Sequence, residues 1–336
     1  MKSILIILPY FGPFPNMFPF WLESCKLNKT VDFLIATDQD IHVAAKNIKF
    51  FHTSLKEIKS RIEKLVGFEV WLEKPYKLCD FRPLYYDIFI DFTRGYDFWG
   101  YCDCDLIFGD IRSVITDELL SSKDYILGMG HFHLQRVDDE KYEQVWKSAR
   151  GLWRDIQWKD VFVSPNNEWF DELPYGVSGR YYELFPDLFW SGFGAKGRCY
   201  ESPTPKFYKF FDGYNCYRLY KNDQGYLKHI ERLPFFRREE TGDINNIVYV
   251  KDGINLYMIG TNKSGQLIKL PILYVHFYKR KFDIKTDCLD NYMIYPNVFG
   301  KVKSLDQFSI KWYSMSPLFF IKLKIGELFV KLKHWN

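Results

Sequence analysis

Apolar runs broken by polar residues set the rhythm of the first third of the chain. Residues 3–8 (SILIIL) and 31–37 (VDFLIAT) are short apolar stretches ending at Pro9 and Asp38. Such runs mark strands buried on both faces of a parallel sheet. Between them, Trp21 to Cys25 would sit on a helix behind a Pro- and Phe-rich loop at 9–19. Ser54-x-x-Glu57 forms a capping box, Leu55, Ile58, Ile62 and Leu65 recur at helical spacing, and Gly67 supplies a stop. The pattern predicts a helix over 54–66. A second helix is predicted from Pro83 to Thr93, ending near Gly95 and feeding a strand over 97–102 (DFWGYC) that runs into Asp103-Cys104-Asp105. This alternation predicts a doubly wound α/β sheet whose ligand site lies at the carboxyl ends of its strands.

The middle is less regular. Residues 125–128 (YILG) read as a strand, and Tyr142, Val145, Trp146, Ala149, Leu152 and Ile156 predict a helix over 139–156 after Asp138 as cap. Residues 164–213 are rich in Gly, Pro and aromatics, as befits pocket-shaping loops. From 247 to 278 the pattern turns to strands: 247–250, a hairpin at Asp252-Gly253, 256–259, a turn at Ser264-Gly265, then 272–277. Without repeats or low-complexity linkers, the chain predicts one continuous fold. Its parts are a nucleotide-binding half over 1–112, an acceptor half over 113–300 whose last strands return to the first half, and a tail over 301–336.

Composition narrows the class. The chain has 336 residues, 47% hydrophobic and 26% charged, which excludes a disordered or collagen-like polypeptide. Aromatic residues reach 19%, enough to fill the interior and still line a site. A net charge of +4 is too mild for general nucleic-acid binding. The seven cysteines form no Cys-x-x-Cys pair, so neither a disulfide framework nor a zinc site is indicated. The opening apolar run is shorter than the ~7–15 residues of a signal-peptide core, and no stretch reaches the ~18 apolar residues of a membrane span. A reduced, cytoplasmic enzyme is the expectation. In the tail, Leu318, Phe319, Ile321, Leu323, Ile325, Leu328, Phe329 and Leu332 mix with Lys322, Lys324, Lys331 and Lys333. Residues 316–336 therefore read as a basic amphipathic helix, one that either lies on the inner face of an anionic membrane or docks on the body.

Three elements carry candidate chemistry. Asp103-x-Asp105 ends an apolar strand, where unpaired carboxylates are costly and a hard divalent cation would be met by oxygen ligands. His276 ends another strand and is followed by Lys279, Arg280 and Lys281. It could give a third ligand with a diphosphate clamp, or be a core histidine before a solvated turn. A metal and cations together stabilise a departing nucleoside diphosphate. Lys77-x-x-Asp80-x-Arg82-Pro83 opens the helix before the Asp-x-Asp strand. There, Lys77 and the helix N-terminus can hold phosphate or base, and Asp80 can pair with Arg82 or accept from a ribose hydroxyl. The alternative is a helix cap with a surface ion pair. Asp38 has the position of a ribose- or base-contacting acid, or of a simple turn residue.

Together these elements resemble GT-A-type glycosyltransferases, nearest to a poorly characterised bacterial family of capsular and surface-polysaccharide gene clusters. The resemblance covers roughly residues 1–285, anchored at 76–112, 129–136 (MGHFHLQR), Phe170-Asp171-Glu172 and 274–281. It implies a Rossmann-like central mixed sheet flanked by helices, with an irregular acceptor half, and a nucleotide-sugar donor, usually UDP-linked. It further implies Mn²⁺ or Mg²⁺ on Asp103, Asp105 and His276. Pro9, Tyr10, Asp38, Lys77, Asp80 and Arg82 would lie along the nucleotide, and Lys279 on the diphosphate. The acceptor would be a surface glycan, in many such enzymes lipid-linked.

His131-x-His133 puts two imidazoles on one face if the segment is a strand. Contact with donor or acceptor sugar is the functional reading, a structural role the alternative. Asp171-Glu172 follows Trp169-Phe170. Acids in an aromatic pocket can act as general bases, because burial raises their pKa. Glu172 is the expected base and Asp171 an acceptor contact. Competing readings are a metal-dependent phosphoesterase or nucleotidyltransferase using Asp103, Asp105, His131 and His133, and an inert GT-A-like subunit that binds glycan.

Overall fold

The computed structural model describes residues 1–137, 139–151, 156–172, 176–190, 199–201, 245–262, 264–277, 281–295, 298–306, 309, 310 and 313. The chain opens with β1 (Ile4–Tyr10), α1 (Phe18–Leu27), β2 (Asp32–Thr37), β3 (Ile48–His52) and α2 (Leu55–Val66). A 3-10 helix over Pro75–Leu84 and the single turns α3 (Tyr85–Ile88) and α4 (Ile90–Thr93) lead to β4 (Phe98–Cys102) and β5 (Leu106–Phe108). Next come α5 (Asp117–Ser122), β6 (Tyr125–Met129), β7 (Phe132–Arg136), α6 (Asp139–Ser148), α7 (Trp158–Val163), α8 (Val177–Leu184) and β8 (Phe189–Trp190). The remaining strands are β9 (Cys199–Glu201), β10 (Asn245–Asp252), β11 (Asn255–Thr261), β12 (Leu267–Pro271), β13 (Tyr274–His276), β14 (Asp283–Lys285), β15 (Asn291–Tyr295) and β16 (Val298–Gly300).

A seven-stranded mixed sheet flanked by helices forms the centre, in the order β3-β2-β1-β4-β7-β6-β8. The first four are parallel, and β7 runs antiparallel to both β4 and β6. Successive side chains of β1 explain its apolar run: Ile4, Ile6 and Leu8 enter one buried layer, Leu5 and Ile7 the other. β4 divides likewise, Phe98 and Cys102 against Trp99 and Tyr101. From β1 the chain builds outward to β2 and β3, then returns to place β4 on the other side. The carboxyl ends of β1 and β4 thus flank a topological switch point, the usual ligand crevice of open α/β sheets. The same sheet takes in β6, β7 and β8, so it runs across the 112/113 boundary expected from sequence.

Two further sheets complete the described body: β12-β11-β10-β15-β16-β14, and the small β5-β13-β9. The buried Lys251 of β10 donates to the carbonyls of Phe108 and Ile254 and so ties the six-stranded sheet to the end of β5. Among the described residues no helix is long and apolar enough to cross a membrane.

The 54–66 helix forms as its caps predict. Ser54 Oγ accepts from Glu57 N, and Gly67 takes a left-handed φ of 81°. The helix expected over 83–93 does not form. Pro83 closes a 3-10 helix instead, and Phe89 (φ −109°, ψ 30°) splits the stretch from Tyr85 to Thr93 into single turns. The helix expected over 139–156 stops at Ser148, where Gly151 N donates to Ile156 O at 2.8 Å and reverses the backbone. The pattern passed over several short strands, β5, β15 and β16 among them, and also β3 and β12, edge strands whose side chains are mostly part-exposed or exposed, leaving little apolar periodicity to read.

Gly100 lies where β4 meets β7, and a Cβ there would stand 1.9 Å from the His133 carbonyl oxygen. Gly100→Ala should destabilise the fold by ~1–3 kcal/mol, because backbone rather than a mobile side chain blocks the added carbon. The urea midpoint measures this; an unchanged midpoint would contradict the close approach of these strands.

Candidate metal centre

Asp103 and Asp105 leave the carboxyl end of β4 at the switch point. The small sheet brings the third residue in. β13 pairs antiparallel with β5, His276 opposite Leu106, and Phe277 N donates to Asp105 O at 3.0 Å. His276 Nε2 consequently lies 3.4 Å from Asp105 Oδ1. One ligand atom from each of Asp103, Asp105 and His276 falls within 4.8 Å of the others. Ligands ~2.0–2.2 Å from a shared ion can be about 4 Å apart, so small side-chain adjustments would let all three meet one cation. Two carboxylates and one imidazole form a mixed oxygen–nitrogen set, chemistry that suits Mn²⁺ better than the all-oxygen surroundings preferred by Mg²⁺.

Arg82 organises the carboxylates. Its Nη2 donates to Asp103 Oδ1, its Nη1 to Asp171 Oδ2 at 2.8 Å, and its guanidinium sits 5.1 Å from the Tyr101 ring centroid. Burial opposes the Arg82 charge, but Asp103 and then Asp171 override it and hold the group protonated. Burial raises the Asp171 carboxyl to about 6, against the pull of the Arg82 guanidinium. Burial pushes the neighbouring Cys79 thiol up to about 12, which favours its neutral form.

The 3-10 helix contributes Arg82 and also pins the opposite loop. Lys77 Nζ donates to Asp80 Oδ2 (2.8 Å), Val161 O (2.8 Å) and Asn166 O (2.6 Å), filling its three donor positions. Asp80 accepts from Glu168 N and Phe170 N. Between them Trp169 takes a left-handed φ of 50°, its N–H held by Asn167 Oδ1 at 2.9 Å. Lys77 and Asp80, expected along the nucleoside, are thus interior residues clamping the loop over 161–170. Arg82, expected beside them, reaches the carboxylates of Asp103 and Asp171. Asp171, expected to touch an acceptor, is 2% exposed.

The two histidines of the 131–133 motif part company. His131 precedes β7, stacks on His276 (ring centroids 4.2 Å, 15°) and shares a hydrogen bond with Tyr274 Oη at 2.9 Å. His133, inside β7, lies between the rings of Tyr101 and Tyr125 in the opposite layer, near Ile126 O and Gln135 Oε1. It is a core histidine, and the four-ligand set Asp103, Asp105, His131 and His133 does not assemble. Burial lowers the His131 pKa, with His276 and Arg82 adding to the effect, so its ring is neutral.

Glu172 lies against the Gly130 turn, where a Cβ would stand 2.3 Å from its Oε1. The absent side chain of Gly130 is what admits this carboxyl next to His131. Tyr10, at the end of β1, has its phenol pKa raised by burial and by the nearby Cys104 and Asp105. Pro9 pairs beside it with Ala36. Asp38 is exposed and takes Gly12 N at 2.9 Å and Gln39 Nε2 at 2.8 Å, fixing the loop after β1. Sequence reasoning assigned nothing to Tyr76 or Tyr274. Tyr76, 49% exposed, feels Asp103, Arg82 and Glu172. Tyr274 could have been found from the period-two spacing that puts it on the same strand face as His276. Lys279 and the 316–336 tail lie outside the described residues.

A family model described as a family of unknown function, DUF6625, matches residues 6–303. The chain belongs to this family. No curated protein matches the chain. The DUF6625 span holds Asp103, Asp105, His276, Arg82 and Asp171 together and ends before the basic tail.

Two measurements check this geometry. Asp80→Ala would leave the buried Lys77 ammonium without its carboxylate and should cost ~3–5 kcal/mol in chemical denaturation. His133, whose pKa burial lowers to about 3, cannot take a proton in the native state while the unfolded chain can. The unfolded state therefore binds more protons between about 6.5 and 3, and each pH unit below 6.5 should cost up to about 1.4 kcal/mol of stability from this group. His133→Phe should make that slope shallower, with the buried His131 still contributing, and a slope unchanged by the substitution assigns it elsewhere.

Proposed function

We propose that the protein is a metal-dependent glycosyltransferase of GT-A type that moves a hexose from a nucleotide sugar, UDP-linked, to a surface-glycan acceptor. The observation carrying this reading is the convergence of Asp103, Asp105 and His276 at the switch point between β1 and β4. A nucleotide laid across that crevice would have its diphosphate beside these three groups. They would hold Mn²⁺ or Mg²⁺, which when bound offsets the negative charge growing on the departing diphosphate.

The chain's own residues supply the rest. Tyr10 and the Asp38-anchored loop border the crevice on the β1 side. Buried Arg82 keeps Asp103 oriented. Glu172, beside the Gly130–His131 turn, is the group offered to take a proton from an acceptor hydroxyl. Half-exposed Tyr76 presents a flat apolar face of the kind on which sugar C–H groups pack.

Calorimetric titration with UDP tests the proposal. UDP should bind in the presence of Mn²⁺ and lose most of its affinity in EDTA. Asp105→Asn should abolish the metal dependence, a larger effect than the ~10–100-fold typical of outer-shell substitutions. Wild-type protein should release UDP from at least one UDP-sugar. UDP binding indifferent to Mn²⁺, or metal-dependent hydrolysis of phosphomonoesters with no release from any donor, would overturn the assignment.

A further inference from the structure

A charged residue standing next to a metal ligand has to be reconciled with the metal. Arg82 donates to Asp103, one of the two carboxylates in the cluster. Left uncompensated, its guanidinium would cancel that carboxylate's charge and repel an incoming cation. It is compensated: the other terminal nitrogen donates to Asp171. The carboxylates of Asp103, Asp105 and Asp171 outnumber the one guanidinium, so the cluster stays net acidic and suited to a cation.

We propose that Asp171 is a positioning residue for the divalent cation, acting through Arg82 on Asp103 across the interior of the protein. This rests on reading Asp103, Asp105 and His276 as the metal site. Asp171 is itself fixed from several directions. Its carbonyl accepts from Ser178 Oγ at 2.7 Å and Ser178 N at 3.3 Å, which ties it to the first turn of α8. The preceding residue, Phe170, is held by Asp80 through its N–H. With Asp171 immobile, Arg82 is held in the fork geometry that serves two carboxylates at once, something a lysine cannot reproduce. Asp103 then meets Arg82 through Oδ1 and has a second oxygen to turn toward the ion.

This role differs from the acceptor contact expected of Asp171, and it explains why the residue is almost wholly buried. It also links the loop bearing Glu172 to the metal, since adjacent residues 171 and 172 face Arg82 and Gly130 respectively.

The test is Mn²⁺ affinity measured without nucleotide, by calorimetry and by the loss of the free-ion electron paramagnetic resonance signal, at pH 7.5. Asp171→Asn should weaken Mn²⁺ binding by ~10–100-fold, the range of outer-shell partners. In an Arg82→Gln background the same substitution should change affinity by less than about 2-fold, because the intermediary is gone. Arg82→Lys serves as a second variant should Asp171→Asn fail to fold, and it too should weaken binding. Unchanged affinity in a folded Asp171→Asn protein overturns the proposal, as does an equal loss with and without Arg82. Failure of the underlying reading looks different: wild-type protein would take up no Mn²⁺, or Asp105→Asn would bind it as well as wild type.

Discussion

The pairing of β13 with β5 is the constraint on which the centre depends. It carries an imidazole from far downstream to carboxylates at the end of β4, and its register determines which face of β13 meets them. A slip of one residue would turn His276 and Tyr274 away and bring Val275 inward. The ladder is pinned at both ends, by Phe277 N to Asp105 O and by Gly109 N to Leu273 O at 2.7 Å. Gly109 permits the second contact, since a Cβ there would stand 2.3 Å from the Ile272 carbonyl oxygen. Lys251 then braces the end of β5 from the six-stranded sheet.

Beside the carboxylates that this pairing meets, the protein buries a cluster of charges. Lys77, Asp80 and Arg82 all lie on one short 3-10 helix and all point inward. Each has its complement within hydrogen-bonding distance, from carboxylates, carbonyls or backbone N–H groups of the 161–171 segment. Isolated, any of these charges would be far too costly to bury; satisfied, they hold the end of α7 and the irregular loop that follows it. One helix therefore sets both the orientation of Asp103 and the path of the chain that delivers Glu172. In the folded protein this segment is the joint between Asp103 and the stretch from Val161 to Asp171.

Much of the fold was legible along the chain because burial on both sheet faces leaves an unmistakable apolar run. β1, β2, β4 and the capped α2 arise from local chemistry alone. The edge strands β3 and β12 did not, since half-exposed strands carry weak periodicity. Local propensity also overstated the helices near Pro83 and Gly151, where the backbone at Phe89 and the short-range bond from Gly151 N to Ile156 O interrupt the helical run.

The candidate site divides in the same manner. The sequence alone determined that acidic residues would stand at the end of a buried strand and that a histidine would end another. Only the tertiary structure decided which partners they met. His131 and His133 are two residues apart and read as equivalents, yet one precedes its strand and reaches His276 while the other is sealed among tyrosines. Lys77 and Asp80 read as surface contacts, yet they are interior. Residue type and spacing specify what a side chain can do; the direction it faces, and the charge waiting there, depend on long-range packing that no local pattern encodes.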